Sequence, residues 1–109
     1  TYIMVSAPMD EAVYERSVNT EHAIYDTRFA SDYYRRLPEG RLLWGGRVSL
    51  FAHPRAIADM LVADAIKVYP HLAGHLRADF AWGGVLAYPS HKMPILGRLQ
   101  DGLWCNTGF

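Results

Sequence analysis

Short apolar and alternating stretches recur along the chain, and each is bounded by proline, glycine or a cluster of polar residues. Such stretches are typical of β-strands. The longest of them is interrupted at Gly83-Gly84, where a bulge or bend is expected. The predicted strands cover residues 2–7, 22–27, 32–37, 41–45, 75–88, 94–99 and 103–107.

The clearest pairing signal lies between the third and fourth predicted strands. They flank Pro38-Glu39-Gly40, a three-residue loop with glycine in last place, where a positive φ is favoured. A second turn signal, Gln100-Asp101-Gly102, separates the last two strands. The sequence therefore predicts two β-hairpins, the first with Tyr33 and Tyr34 on opposite faces.

Helical periodicity is strongest over residues 54–69, which begin with a proline in a first helical turn. Asp64 interrupts the apolar face of this helix. A second, short helix is predicted over residues 9–16, with Asp10 and Glu11 favourable at its N-terminal end. The element order predicts an α+β fold, a mostly antiparallel (mixed) sheet covered by one main helix. The apolar face comprises Ile57, Met60, Leu61, Ala65 and Val68; Arg55, Asp59 and Lys67 lie opposite.

The composition argues against a nucleic-acid-binding protein and against a membrane protein. The 109 residues include 11 basic and 11 acidic side chains, so the basic excess typical of a nucleic-acid-binding domain is missing. No apolar run reaches the roughly 18 residues that span a bilayer, so no membrane role is expected. The single cysteine, Cys105, cannot form an internal disulfide, which fits the cytoplasm, and we expect it to be buried and structural.

Trp-Gly-Gly occurs twice, at 44–46 and 82–84, each time at the end of an apolar strand. Glycine pairs in strands mark a bend or the close approach of another group. One interpretation is two sheet bends beside packed tryptophans. The other is that the sheet opens there to admit a planar ligand.

Other candidate residues leave alternatives open. His71 and His75 have i, i+4 spacing, but Pro70 and Gly74 disfavour a helix and no third ligand lies nearby, so no metal is expected. Tyr33 and Tyr34 either contact substrate or divide between core and surface. One basic residue could bind a substrate carboxylate rather than being solvated or paired. The basic candidates are Arg35, Arg36, Arg41, Arg47, Lys92 and Arg98.

Five stretches occur in an order that resembles one family. The chain is similar to FAD-dependent oxidoreductases of the D-amino-acid oxidase and glycine oxidase superfamily, in particular the γ-glutamylputrescine oxidoreductase type. The resemblance runs along nearly the whole chain. The stretches are Tyr25-Asp-Thr-Arg-Phe, Asp32-Tyr-Tyr-Arg, Gly40-Arg-Leu-Leu-Trp-Gly-Gly-Arg, Ala81-Trp-Gly-Gly and Pro94-Ile-Leu-Gly-Arg-Leu, the last continuing to Thr107-Gly-Phe.

This resemblance implies a substrate domain lying over the flavin in residues 1–93 and the start of a return into the FAD-binding domain in 94–109. Trp82 and the segment through His91, Lys92 and Met93 would face the substrate, and Arg47 would lie above the flavin. A cation there would stabilise developing negative charge. The implied substrate-binding residues are Tyr33, Tyr34, Trp82 and Lys92; the implied cofactor-binding residues are Arg47, Gly97, Gly108 and Phe109.

The chain departs from the family pattern where the dinucleotide would be held. It has no Gly-x-Gly-x-x-Gly turn, so the pyrophosphate lacks a helix N-terminus. Because the chain begins and ends at predicted strands, with no polar tail, we expect an excised piece of a larger protein. FAD would be bound by the parent protein and not by this chain alone, which should be inactive.

Two hypotheses follow. In the first, the parent oxidises the C–N bond of a small amine or amino acid with FAD, and this piece supplies the substrate-side cover of the flavin. Its partners would be the small substrate and the missing FAD-binding domain. In the second, the chain is a non-catalytic α+β module that binds a partner or forms a homodimer through its aromatic sheet face.

Overall fold

The computed structural model describes residues 1–28, 30–49 and 53–108. A single 3₁₀ turn, Pro70–Leu72, follows the long helix. In chain order the elements are β1 (Tyr2–Ser6), α1 (Glu11–Glu15), β2 (Ile24–Tyr25), β3 (Tyr33–Leu37), β4 (Arg41–Gly46), α2 (Pro54–Val68), β5 (Ala78–Gly83), β6 (Ile95–Gln100) and β7 (Leu103–Thr107).

The main sheet has five strands in the order β2-β3-β4-β1-β5, and each neighbouring pair is antiparallel. Helix α2 packs across β5, β1 and β4 on one face. The predicted α+β architecture with an antiparallel sheet and one covering helix is therefore confirmed. The β3–β4 hairpin is confirmed as well, with both Glu39 and Gly40 at positive φ in its turn.

The core lies between this sheet and α2. Residues of β1 alternate between buried and half-buried, as expected for a strand with one face on the core. Trp44, Met4 and Leu42 from the sheet are fully buried against Leu61 of the helix. The Tyr34 ring joins them, stacked on Trp44 with centroids 4.0 Å apart.

The face of α2 that meets the sheet differs from the prediction. Met60 and Val68 were expected in the core, but they are 43% and 47% exposed. The reason is that Asp64 belongs to the buried face. The helix is therefore rotated about its axis relative to the orientation in which the predicted apolar face would meet the sheet. That face consists of Ile57, Ala58, Leu61, Asp64 and Ala65, at helical spacing.

The predicted strand over residues 75–88 is wrong at both ends, since β5 covers only Ala78–Gly83. On the N-terminal side, the amides of His75 and Leu76 both bond to the Leu72 carbonyl and form a turn instead. On the C-terminal side, Gly84 makes the last contacts with β1, through Thr1. Because β1 is the only neighbour of β5 in the sheet of described residues, β5 ends where β1 does.

Strands β6 and β7 form the second predicted hairpin, a two-stranded sheet with Gly102 at positive φ in its turn. Leu96, Leu99 and Trp104 are 68–75% exposed. Cys105 lies opposite Gly97 and is half-buried rather than buried as predicted, because no second layer of described residues covers this hairpin.

Candidate functional site

The two Trp-Gly-Gly stretches meet at one end of the main sheet. Tyr2, the first residue of β1, pairs with Gly46 on one side and with Gly83 on the other. These two glycines, 37 positions apart in the sequence, therefore flank the same strand. This juxtaposition follows from the β4-β1-β5 order, which the sequence pattern did not specify.

A cavity of about 650 Å³ opens at this end of the sheet. Its wall combines backbone of the glycine pairs with aromatic, aliphatic and basic side chains. Volumes of a few hundred Å³ with mostly apolar walls are typical of small-molecule sites. The lining residues are Thr1, Tyr2, Arg28, Ala30, Ser31, Tyr33, Gly46, Arg47, Val48, Ser49, Gly83, Gly84, Val85, Leu86 and Tyr88.

Close packing around the cavity requires three of the four glycines. A Cβ on Gly45 would overlap the Tyr33 ring, and one on Gly46 would overlap the Asp32 carboxylate. A Cβ on Gly83 would lie 2.9 Å from the Tyr2 ring, whereas one on Gly84 would have no heavy atom within 4 Å. The glycines therefore admit neighbouring side chains, and a cavity opens beside them; that this opening admits a planar ligand stays a prediction.

Tyr33 and Tyr34 project from opposite faces of β3, as predicted. The Tyr33 ring lies over Gly45 and lines the cavity, and its hydroxyl is 3.2 Å from the Thr1 Oγ1. Tyr34 lies on the helix side, between Trp44 and Tyr69. Burial, together with a hydrogen bond to Tyr69, raises the pKa of Tyr34 to about 12, so its hydroxyl stays protonated at neutral pH.

Arg47 lines the cavity directly after the first glycine pair and has a positive φ of 59°. Its Nε donates a 2.8 Å hydrogen bond to Asp64 Oδ2, and its Nη2 lies 2.6 Å from the same oxygen. Lys67 Nζ donates to the other carboxylate oxygen, Oδ1, at 3.0 Å. This cluster explains why an aspartate occupies the buried face of α2.

A second basic residue of the cavity wall, Arg28, contacts two carboxylates. Its Nη2 lies 2.7 Å from Asp32 Oδ2, and it also pairs with Asp26. The side-chain hydrogen bond from Arg28 lowers the pKa of Asp26. The Arg28 charge is thus balanced by Asp26 and Asp32.

The other predicted site residues that the structure describes lie outside the cavity wall. Trp82 lies on the outer face of β5 opposite Ile3 and is 45% exposed, so the interpretation of packed tryptophans holds for Trp44 alone. Lys92 is exposed in a turn, with its amide bonded to the Pro89 carbonyl. Gly97 lies in β6 with open space around it, and Gly108 has a positive φ beside Pro89. Phe109 is outside the described residues.

Sequence reasoning missed several wall residues, among them Arg28, Ser49 and residues 85–88. Arg28 belongs to the family stretch Tyr25-Asp-Thr-Arg-Phe, and its i, i+4 spacing with Asp32 is a sequence signal for an ion pair. Residues 85–88 were assigned to a strand, so their position at the cavity could not be inferred. Asp64 on an apolar helix face was the one visible sign of a buried cation partner.

The structure gives a pH dependence for Asp64. Burial on its own raises the pKa of its carboxyl, but the hydrogen bonds from Lys67 and Arg47 outweigh burial and hold the pKa below the ordinary value. The unfolded state therefore binds the proton more readily, and the stability that the cluster contributes is present above the unfolded pKa and lost as pH falls. We expect the free energy of unfolding to decline from about pH 5 to pH 3.

Denaturant unfolding across this pH range checks the expectation. Asp64→Asn should flatten the slope, because the substituted amide does not titrate. An unchanged slope would show that Asp64 has the same pKa in the folded and unfolded states.

Metal sites and membrane-spanning helices are both absent from the described residues. Within residues 1–28, 30–49 and 53–108, no group of three histidine, cysteine or acidic side chains could hold a metal ion. Over the same described residues, no helix is long and apolar enough to cross a membrane.

Comparison with known proteins gives the family. The profile of the DAO family, FAD dependent oxidoreductase, matches residues 1–109. The chain is 26% identical over 110 residues to gamma-glutamylputrescine oxidoreductase of Escherichia coli (strain K12), covering all of this chain and 26% of that protein. It is 31% identical over 88 residues to a probable oxidoreductase OrdL of Rhizobium meliloti (strain 1021), covering 80% of this chain and 20% of that protein.

A probable oxidoreductase OrdL of Haemophilus influenzae is 23% identical over 109 residues, covering the whole chain and 24% of that protein. The chain thus spans about a quarter or less of the length of these relatives. No solved structure matches it significantly. Because the family profile covers its full length, the chain belongs to the FAD-dependent oxidoreductases of the DAO family.

Proposed function

We propose that this chain is part of a flavoenzyme that oxidises the C–N bond of a small amine or amino acid. Residues 1–93 would form the substrate-side cover of the flavin, and residues 94–109 would begin the return into the FAD-binding domain. The observation that carries the proposal is the cavity in which both glycine pairs meet, in a chain of an FAD-dependent family. One relative that matches the whole chain is named for an amine substrate.

The cavity suits a small organic substrate. Its volume, about 650 Å³, lies within the range of roughly 300–1,000 Å³ usual for such sites. Leu86, Val85 and Tyr88 supply apolar surface, and the Tyr33 hydroxyl supplies a polar group. A mostly apolar wall with a few polar groups holds an amine in one orientation and excludes water from it.

The described residues lack the glycine-rich turn that would hold the FAD dinucleotide. A dinucleotide needs backbone amides at a glycine-rich turn that opens a helix. Helix α2 opens at Pro54 instead, and the His53 side chain accepts a hydrogen bond from the Arg55 amide. FAD would therefore be held by another part of the protein and would supply the redox chemistry, while this segment binds and orients the substrate.

The non-catalytic module is not favoured, because the family match extends over the whole chain. The experiment is anaerobic titration of the full-length protein, purified with FAD, against a panel of primary and secondary amines and amino acids. We expect bleaching of the flavin absorption band with at least one of them. Failure of every amine to bleach the flavin would contradict the proposed reaction.

A cavity-filling substitution tests where the substrate binds. Leu86→Trp adds an indole to the cavity wall and should raise the KM of the best amine by roughly 10-fold or more, since pocket volume discriminates small substrates strongly. Val68→Trp is the matched control, because Val68 lies on α2 and is 47% exposed. Equal effects of the two variants on KM would contradict a substrate site at this cavity.

A further inference from the structure

We propose that Asp64 is a positioning residue, which holds the Arg47 guanidinium at the cavity wall to receive an anionic group, such as a carboxylate, of the bound molecule. This inference rests on the proposed function, because it assigns the cavity to the substrate. It extends the site to Asp64, a helix residue outside the cavity wall. It also specifies that the ligand carries an anionic group.

The geometry of the pair fixes the guanidinium. Two of its nitrogens, Nε and Nη2, lie 2.8 and 2.6 Å from Asp64 Oδ2. Two donors on one oxygen define the orientation of the guanidinium plane more closely than a single contact would. Asp64 is 8% exposed at its side chain and sits on the 15-residue helix α2, so it is a rigid anchor.

The backbone at Arg47 supports a role at this position. A φ of 59° is unfavourable for a residue with a side chain. Gly46 before it cannot be replaced without overlap with Asp32, so the chain is held close to β3 at this point. Strained residues of this kind are common at binding sites, where the surrounding structure maintains them.

Charge distinguishes Arg47 from the other basic residue of the wall. Arg28 and Arg47 are the charged side chains among the described wall residues. Two carboxylates, Asp26 and Asp32, balance Arg28. Arg47 instead shares its single carboxylate with Lys67, so this cluster retains one net positive charge beside the cavity. An anionic group is therefore expected at Arg47 rather than at Arg28.

The test is calorimetric binding of acetate to the full-length protein, with acetamide as the neutral probe of the same shape. This readout does not depend on turnover, so it is separate from the flavin-bleaching experiment. We expect the wild type to prefer acetate, and Arg47→Met to lose that preference by roughly 10- to 100-fold, as for a hydrogen-bonded charge pair. A wild type that binds the two probes equally would overturn the inference.

Three further variants separate positioning from a general structural role. Asp64→Asn should weaken acetate binding by roughly fivefold or more, but have no further effect in the Arg47→Met background. Asp59→Asn, the matched control, removes a carboxylate from the exposed face of the same helix and should change acetate binding by less than about twofold. Unchanged or tighter acetate binding by Asp64→Asn, or equal weakening in both backgrounds, would overturn the inference.

If Asp64→Asn does not fold, Arg47→Lys tests the positioning of the guanidinium without a change at Asp64. Lysine retains the charge but cannot place two nitrogens of a planar fork on Asp64 Oδ2. The inference predicts that Arg47→Lys binds acetate nearly as weakly as Arg47→Met. Acetate binding at the wild-type level by Arg47→Lys would show that a positive charge is sufficient without positioning.

Discussion

Replacing Gly45 with alanine is expected to destabilise the protein by about 1–3 kcal/mol and to impair substrate binding, because the new methyl group would overlap the Tyr33 ring. Gly45 is buried in β4, and its neighbours Ile3 and Tyr33 belong to paired strands that cannot separate independently. Tyr33 would have to leave its place in the cavity wall. Loss of stability and loss of substrate affinity should therefore occur together.

Gly84→Ala is the matched control for this prediction. Gly84 also lies in the cavity wall, but a Cβ there would meet no heavy atom within 4 Å. We expect its free energy of unfolding to stay within about 0.5 kcal/mol of the wild type. Chemical denaturation of the two variants checks the difference, and similar unfolding free energies for both would contradict the packing described at Gly45.

Truncation of Trp44 to alanine should have the largest effect on stability, about 3–5 kcal/mol. Trp44 is fully buried between the sheet and α2, where it stacks on Tyr34 and meets Tyr69 edge to face. The substitution removes these ring contacts and leaves a cavity at the centre of the core. Thermal or denaturant unfolding measures the loss.

Trp44→Phe separates ring packing from the polar group of the indole. The Nε1 of Trp44 is buried and has no hydrogen-bond partner among the described residues. Phenylalanine keeps an aromatic ring against Tyr34 and removes this unpaired donor, so we expect a cost under about 1.5 kcal/mol. If Trp44→Phe were as destabilising as Trp44→Ala, the indole nitrogen would have a partner outside the described residues.

Local sequence signals predicted much of the fold. The glycine-containing turns specified both hairpins, because positive φ is needed at Gly40 and Gly102. The proline at the start of α2 and the helical spacing after it specified that helix. These features depend on residues close in sequence, where propensity and pattern carry the information.

The cavity could not be predicted in this way, because it depends on strand order. Gly46 and Gly83 come together because β1 lies between β4 and β5 in the sheet. The ion pair of Asp64 could not be predicted for a similar reason: its partner Arg47 is 17 residues earlier, directly after β4. The predicted strand was wrong over residues 84–88 because an apolar stretch without a neighbouring strand does not remain in a sheet.

A crystal structure of the full-length protein with FAD tests most directly whether the cavity faces the flavin. We expect the flavin ring to lie on the cavity side of the main sheet, with the substrate space between the ring and the wall formed by Tyr33, Gly46 and Arg47. At least one cavity residue should lie within about 4.5 Å of the ring or of a bound substrate analogue. A flavin ring against helix α2, with the cavity filled by another part of the protein, would contradict a substrate site at this cavity.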